Sequence, residues 1–182
     1  VMVLNAIEVL DFSTDFDSVK IRLSDLEFTA KQLFIATNAF SRQLLDIELQ
    51  PARNQVIITK PIKDLHIKGT FHLQEGYYYF RNINNRILLG GGRHLDLKGE
   101  TTTALETTEN IQNALEQILY EVILPQDKIS IDQRWSGILG IGKQKRPIIK
   151  SVDKRVYCAV RLGGMGVAIG SEVGRELALF SK

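Results

Sequence analysis

The residues of this chain best placed for ligand chemistry are glycines. Gly163-Gly164-Met165-Gly166 stands between an apolar run, Val156 to Val160, and a segment whose pattern continues as a helix to about Phe180. A glycine turn at the head of a helix lets backbone N–H groups approach a ligand closely, and those groups favour negative charge. Gly166, Gly170, Gly174 and Ala178 then recur every four residues and line one helix face with small side chains. Glycine inside a helix costs about 1 kcal/mol relative to alanine, so close approach to a sheet or a flat cofactor is expected to offset it. Strand, glycine turn and helix also match the opening of a dinucleotide-binding unit. That unit needs a second strand with an acidic residue about 20 positions on, and none follows within the 182 residues. The turn is therefore expected to serve another part of a ligand, or to pack without one.

Two side chains stand out beside it. Arg161, immediately before the turn, is either a cation for an anionic ligand group or a solvated arginine. In the aromatic run Tyr77 to Phe80, strand alternation puts Tyr77 and Tyr79 on one face and Tyr78 and Phe80 on the other. Tyr79 thus reads either as a cavity-lining residue or as sheet-face packing. Gly90-Gly91-Gly92 ends a strand, and the nearness of Arg93 and His94 hints at a pocket rim. Trp135 fills the core or packs against a ligand. No Ser/His/Asp or Cys/His arrangement is recognisable, and His66, His72, His94 and Cys158 lack metal-ligand spacing. No metal is expected and no catalytic side chain is assigned, a pattern that suits chemistry carried by an organic cofactor.

The elements that must position these residues are mostly strands. Val3 to Leu10, Val19 to Leu23, Gln32 to Ala36, Gln55 to Thr59, Tyr77 to Ile83, Ile87 to Leu89, Ile129 to Ile141, Pro147 to Ile149 and Val156 to Val160 read as β. Asn84-Asn85 has hairpin turn chemistry. Asn38 is a plausible cap for a short helix over Ala39 to Leu45. Thr103-Ala104-Leu105-Glu106 has the pattern of a capping box. Ile111, Leu115, Ile118, Leu119 and Val122 recur at helical spacing, so one amphipathic helix is expected from Thr103 to Val122, stopped by Pro125. With the closing helix, this makes an α+β body with three helices and a largely antiparallel sheet.

Composition narrows the partners. Twenty-three basic against 21 acidic residues give a net charge of +2, too near balance for nucleic-acid or membrane binding by bulk charge. At 44% apolar and 24% charged residues, the chain falls in the ordinary globular range. No apolar stretch approaches the roughly 18 residues that span a bilayer. A lone cysteine, Cys158, suits a reducing compartment, so a cytoplasmic location is expected. The chain opens on Val1-Met2-Val3-Leu4, as a strand entered mid-stride, which is what a fragment would show.

Taken together, four stretches resemble the C-terminal part of the D-amino-acid oxidase superfamily of FAD-dependent amine and amino-acid oxidoreductases, which includes glycine and sarcosine oxidases. Gln32-Leu33-Phe34-Ile35-Ala36-Thr37-Asn38-Ala39-Phe40 resembles the strand and turn that return the chain to the flavin domain. Tyr79-Phe80-Arg81-Asn82, with Asn85-Arg86-Ile87-Leu88-Leu89-Gly90-Gly91, resembles the aromatic strand and its glycine-ended partner. Trp135-Ser136-Gly137-Ile138 and Pro147-Ile148-Ile149 are similar to the Trp-x-Gly and Pro-x-Ile elements. Gly163-Gly164-Met165-Gly166, with Gly170 and Gly174, resembles the last flavin-contacting turn and helix.

The resemblance implies a mixed, largely antiparallel substrate-binding sheet, plus the C-terminal strand and helix of a Rossmann-like FAD-binding domain whose N-terminal unit has no counterpart here. It divides the chain into strand ends (1–30), a returning flavin-domain strand and helix (31–50), a substrate-binding sheet with one long helix (51–134), and closing flavin-domain elements (135–182). It further implies noncovalent FAD held by Gly163, Gly164, Met165 and Gly166, since no cysteine lies near Trp135 for a covalent link. A small amine or amino-acid-like substrate would be held by Tyr79 and Arg161, with the C–H next to nitrogen oxidised. The family's glycine oxidases place a carboxylate-clamping arginine two residues after Trp-x-Gly; here that position is Leu139. The alternative is a noncatalytic binding or assembly module that keeps the sheet without flavin.

Overall fold

Residues 1–125 and 129–181 are described by the computed structural model of the chain. Its strands are β1 (Val9–Thr14), β2 (Val19–Leu23), β3 (Glu27–Ala30), β4 (Leu33–Ile35), β5 (Gln50–Thr59), β6 (Thr70–Leu73), β7 (Tyr78–Ile83), β8 (Arg86–Gly91), β9 (Ile131–Ile141), β10 (Ile148–Asp153) and β11 (Val156–Val160). Its α-helices are α1 (Glu109–Ile118) and α2 (Gly166–Ala178). The chain gathers into two units. One comprises Val1–Pro51 and Leu139–Lys182; the other comprises Ala52–Ile138.

The first unit holds two three-stranded sheets, ordered β1-β2-β3 and β10-β11-β4. In the second sheet β11 runs antiparallel to β10 and parallel to β4. Val156, Cys158 and Val160 of β11 are fully buried, with Ile35, Leu45 and Leu49 beside them. Burial raises the Cys158 thiol pKa, so this cysteine is packing and not a reactive group. The opposite side of β11 presents Ala159, on which Val173 and Leu177 of α2 pack.

A five-stranded sheet in the order β6-β7-β8-β5-β9 dominates the second unit. Asn84 and Asn85 sit at φ 48° and 55°, the left-handed pair that a tight hairpin turn requires, and they join β7 to β8 in the expected register of Ile83 opposite Arg86. Tyr78 and Phe80 of β7, Ile87 and Leu89 of β8 and Ile57 of β5 meet Ile111, Leu115 and Leu119 in one core. The alternation expected for the aromatic run therefore holds, with Tyr78 and Phe80 facing inward.

Several expectations are corrected. Strand β1 begins at Val9 and not at Val3; Val1, Met2, Val3, Leu4 and Ile7 are all exposed. Strands β3 and β6 are additional, and neither has a strong apolar pattern: three of the four residues of each are exposed. Residues Asn38–Gln43 form a 3-10 turn and not an α-helix, leaving two α-helices among the described residues.

Helix α1 starts at Glu109, six residues later than the capping-box pattern suggests. Glu106, the residue meant to close that box, is claimed by the sheet, and so is Thr108 beyond it. Glu106 accepts a hydrogen bond from Arg53 Nη1 at 3.0 Å, and Thr108 donates its backbone N–H to Gln55 Oε1 at 3.0 Å, which holds Thr108 extended. At its other end the helix passes into a π-turn, Leu119–Ile123, that keeps Leu119 and Ile123 buried.

Candidate glycine-turn site

The turn between β11 and α2 is built by residues distant in sequence. Gly163 and Gly164 take φ of 58° and 85°, a conformation that glycine adopts without steric cost. Arg161 at φ 64° and Asn38 at φ 43° are also left-handed, and for arginine that conformation is strained. Hydrogen bonds flank both. The Asn38 side-chain carbonyl accepts the Leu162 N–H at 3.1 Å, and Gly163 N–H donates to the Gly140 carbonyl at 3.0 Å. A Cβ on Gly140 would lie 2.7 Å from Asn38 Oδ1, so only glycine lets β9 come this close.

Arg161 is 6% exposed. Its Nε donates to the Arg146 carbonyl at 3.0 Å, and its Nη1 donates to the Glu48 carbonyl at 3.1 Å and pairs with the Glu48 carboxylate. Glu48 in turn accepts the Lys143 N–H at 2.9 Å, and a Cβ on Gly142 would lie 2.6 Å from Arg161 Cδ. The guanidinium is thus a staple joining three backbone segments. Sequence reading placed Arg161 at the site but gave no sign of its partner. Asn38, read as a helix cap, instead serves the turn, and an asparagine just after a β-strand is a residue type suited to that left-handed position.

What the turn presents is open backbone. Met165 N–H donates to the Leu162 carbonyl at 2.9 Å, and Ala168 and Ile169 both donate to the Met165 carbonyl. Among the described residues, no backbone acceptor meets the N–H groups of Gly164, Gly166 or Val167, at the positive end of α2. A Cβ on Gly163 would meet no atom within 4 Å, and one on Gly164 would meet only Leu139 Cδ1 at 3.8 Å. Leu139 is therefore beside the turn. Gly170 and Gly174 also meet nothing within 4 Å. Helix α2 packs on its own sheet through Val173 and Leu177, so the sheet does not account for the glycine face. Two left-handed glycines, unblocked amides and an uncovered helix end fit a flat group that gathers negative charge, such as a flavin ring on reduction.

Tyr79 belongs to the other unit. Its hydroxyl accepts a hydrogen bond from Asn54 Nδ2 at 2.7 Å, and burial raises its pKa more than that bond lowers it, so it remains a neutral hydroxyl. Opposite it in the ladder is Gly90, where a Cβ would lie 2.5 Å from the Tyr79 oxygen. The tyrosine ring lies across that glycine. Gly90→Ala is expected to push the ring off Asn54 at about 1–3 kcal/mol, read as a lowered melting temperature and a changed tyrosine absorbance near pH 10. Trp135 is 39% exposed and does not fill the core. Among the described residues no group of His, Cys, Asp or Glu is arranged to hold a metal, and no helix is long and apolar enough to cross a membrane.

A buried polar network in the same unit escaped sequence reading. Arg53 and Glu100 have side chains 3% and 1% exposed and pair through two bonds, Nη2 to Oε1 at 2.7 Å and Nε to Oε2 at 3.1 Å. Gln55 Nε2 reaches the same carboxylate at 2.9 Å, and Gln55 Oε1 accepts from Gln112. The Glu100 carboxylate keeps the Arg53 guanidinium charged against the opposing effect of burial.

The family model for FAD dependent oxidoreductases, DAO, matches residues 1–179. The chain belongs to that family. Its fold is similar to L-proline dehydrogenase from P. horikoshii, with a TM-score of 0.80 and 19% identity over 98% of this chain and 50% of that one. Iminodiacetate oxidase from Chelativorans sp. BNC1 gives 0.79 and 18% identity over 94% of this chain and 48% of that one. Glycine oxidase from Bacillus cereus gives 0.78 and 16% identity over 96% and 50%. The DAO chain therefore spans about half the length of these solved structures. No curated protein sequence matches it.

Proposed function

We propose that this DAO-family chain forms the later part of an FAD-dependent oxidoreductase acting on a small amine or amino-acid-like substrate, with noncovalently bound FAD. The observation that carries the reading is the turn at Gly163-Gly164-Met165-Gly166, whose left-handed glycines, open Cβ positions and free amides face outward at a helix head. FAD, when bound, supplies the electron acceptor for oxidation of a C–H next to nitrogen.

The chain's own residues do the holding. Gly164 and Gly166 offer N–H groups where negative charge gathers, a contribution of up to about 2 kcal/mol in partly buried geometry. Gly163 gives the turn its shape, and Met165 contributes its exposed side chain. Residues 31–50 and 135–182 are assigned to the Rossmann-like flavin domain, and 51–134 to the substrate-binding sheet. Tyr79 is assigned to the substrate side, its hydroxyl fixed by Asn54. Arg161 acts on ligand binding by shaping the turn, since Nε and Nη1 are spent on Arg146 and Glu48.

The structural neighbours are named for activities on proline, iminodiacetate and glycine, which supports an amine-bearing substrate. Leu139 beside the turn favours an amine without the carboxylate clamp of glycine oxidases. The test is to purify the complete protein that carries this chain and record its visible spectrum. A stoichiometric flavin band released by denaturation is expected. A flavin-free complete protein that folds would overturn the reading in favour of a noncatalytic binding or assembly module.

A further inference from the structure

On the helix side of the five-stranded sheet, opposite the face that carries Tyr79, the second unit contains a cavity of about 360 Å³ that the flavin reading leaves unused. Cavities of this size take small ligands. Tyr78 and His94 form one wall, their rings 5.4 Å apart and perpendicular, with Tyr77 stacked on the outer face of His94 at 4.2 Å. The Tyr78 ring is fixed from behind, because a Cβ on Gly92 would already lie 3.3 Å from its Cε1.

One buried polar atom here lacks a partner. His94 Nδ1 is buried with no hydrogen bond. Tyr78 is 3% exposed, yet none of the described residues bonds its hydroxyl, and desolvation alone shifts its pKa, upward, so the hydroxyl stays protonated and able to donate. Leaving the buried His94 nitrogen unpaired costs about 1–3 kcal/mol, a cost that a ligand's hydrogen bond would remove. The rest of the lining is selective. Leu95, Ala114 and Ile118 are apolar, and Glu121 brings a carboxylate that Gln117 Nε2 orients at 3.0 Å. No lysine or arginine is among the described lining residues, so the cavity favours cations and disfavours anions. Gln74, at its edge, and Glu75 are held left-handed at φ 48° and 58°, strain of the sort found at ligand clamps.

We propose that this cavity binds a small hydroxylated aromatic amine, with its ring against Leu95 and Ile118, its hydroxyl paired with Tyr78 and its ammonium facing Glu121. The site is independent of flavin and of the reaction proposed above.

The test is calorimetric titration of the complete protein, without oxygen, using tyramine, phenethylamine and 4-hydroxyphenylacetate as matched probes. Tyramine is expected to bind about fivefold more tightly than phenethylamine, an advantage that Tyr78→Phe removes while leaving the ring in place. The same preference over 4-hydroxyphenylacetate is expected to shrink in Glu121→Gln, a change on an exposed side chain that the fold tolerates. Hydrogen exchange with bound tyramine should slow at residues 74–78 and 114–122. Absence of tyramine binding, affinity unaltered by both substitutions, or slowing confined to other segments would overturn the proposal. Failure of the flavin reading shows separately, as a missing visible band.

Discussion

Glu100→Ala is expected to cost about 3–5 kcal/mol of stability, the penalty for stranding a buried charge. The carboxylate accepts two bonds from Arg53 and one from Gln55, and removing it leaves Arg53 with only the exposed Glu106 as an ionic partner. The damage reaches the helix, because Gln55 also holds Thr108 and Gln112 at the start of α1. Equilibrium urea denaturation reads the loss. Replacing Arg53 by methionine in the same variant should recover part of it, since no charge is then stranded. A single-variant loss under 1 kcal/mol would show that the network is hydrated and does not fix the helix.

For Arg161→Ala, the expected losses are about 1–3 kcal/mol of stability and about tenfold in flavin affinity. Stability falls because the main-chain oxygens of Arg146 and Glu48 lose a common donor. Affinity falls because the turn loses the staple that sets its entry angle. Arg161→Lys should not rescue either, since an ammonium cannot reproduce the fork that spans two carbonyls and a carboxylate. Flavin titration beside thermal melting separates the two effects. Flavin affinity unchanged in a destabilised Arg161→Ala protein would dismiss the positioning role.

The parts of the fold set by short-range pattern were legible in the sequence. The Asn84-Asn85 hairpin, the alternation of Tyr77 and Tyr79 against Tyr78 and Phe80, and the β11–turn–α2 order follow from turn chemistry and periodicity alone. The missed features share a cause: a side chain diverted by a partner far along the chain. Glu106 looks like a capping residue until Arg53 claims it, 53 positions away. Asn38 looks like a helix cap until the Leu162 N–H, 124 positions away, takes its carbonyl. Local spacing carries no information about such pairs. The same holds for Arg161, whose placement at the turn was readable and whose engagement with Glu48 was not.

The central claim, that the turn before α2 receives the flavin, is tested most directly by Gly164→Val in the complete protein. A Cβ there meets only Leu139 Cδ1, at 3.8 Å, so the main cost to the folded chain is the left-handed backbone of a β-branched residue, at least about 1–2 kcal/mol. The account predicts a folded protein that loses its bound flavin, measured as the visible absorbance remaining after desalting. A folded Gly164→Val protein that keeps a full complement of flavin would contradict it.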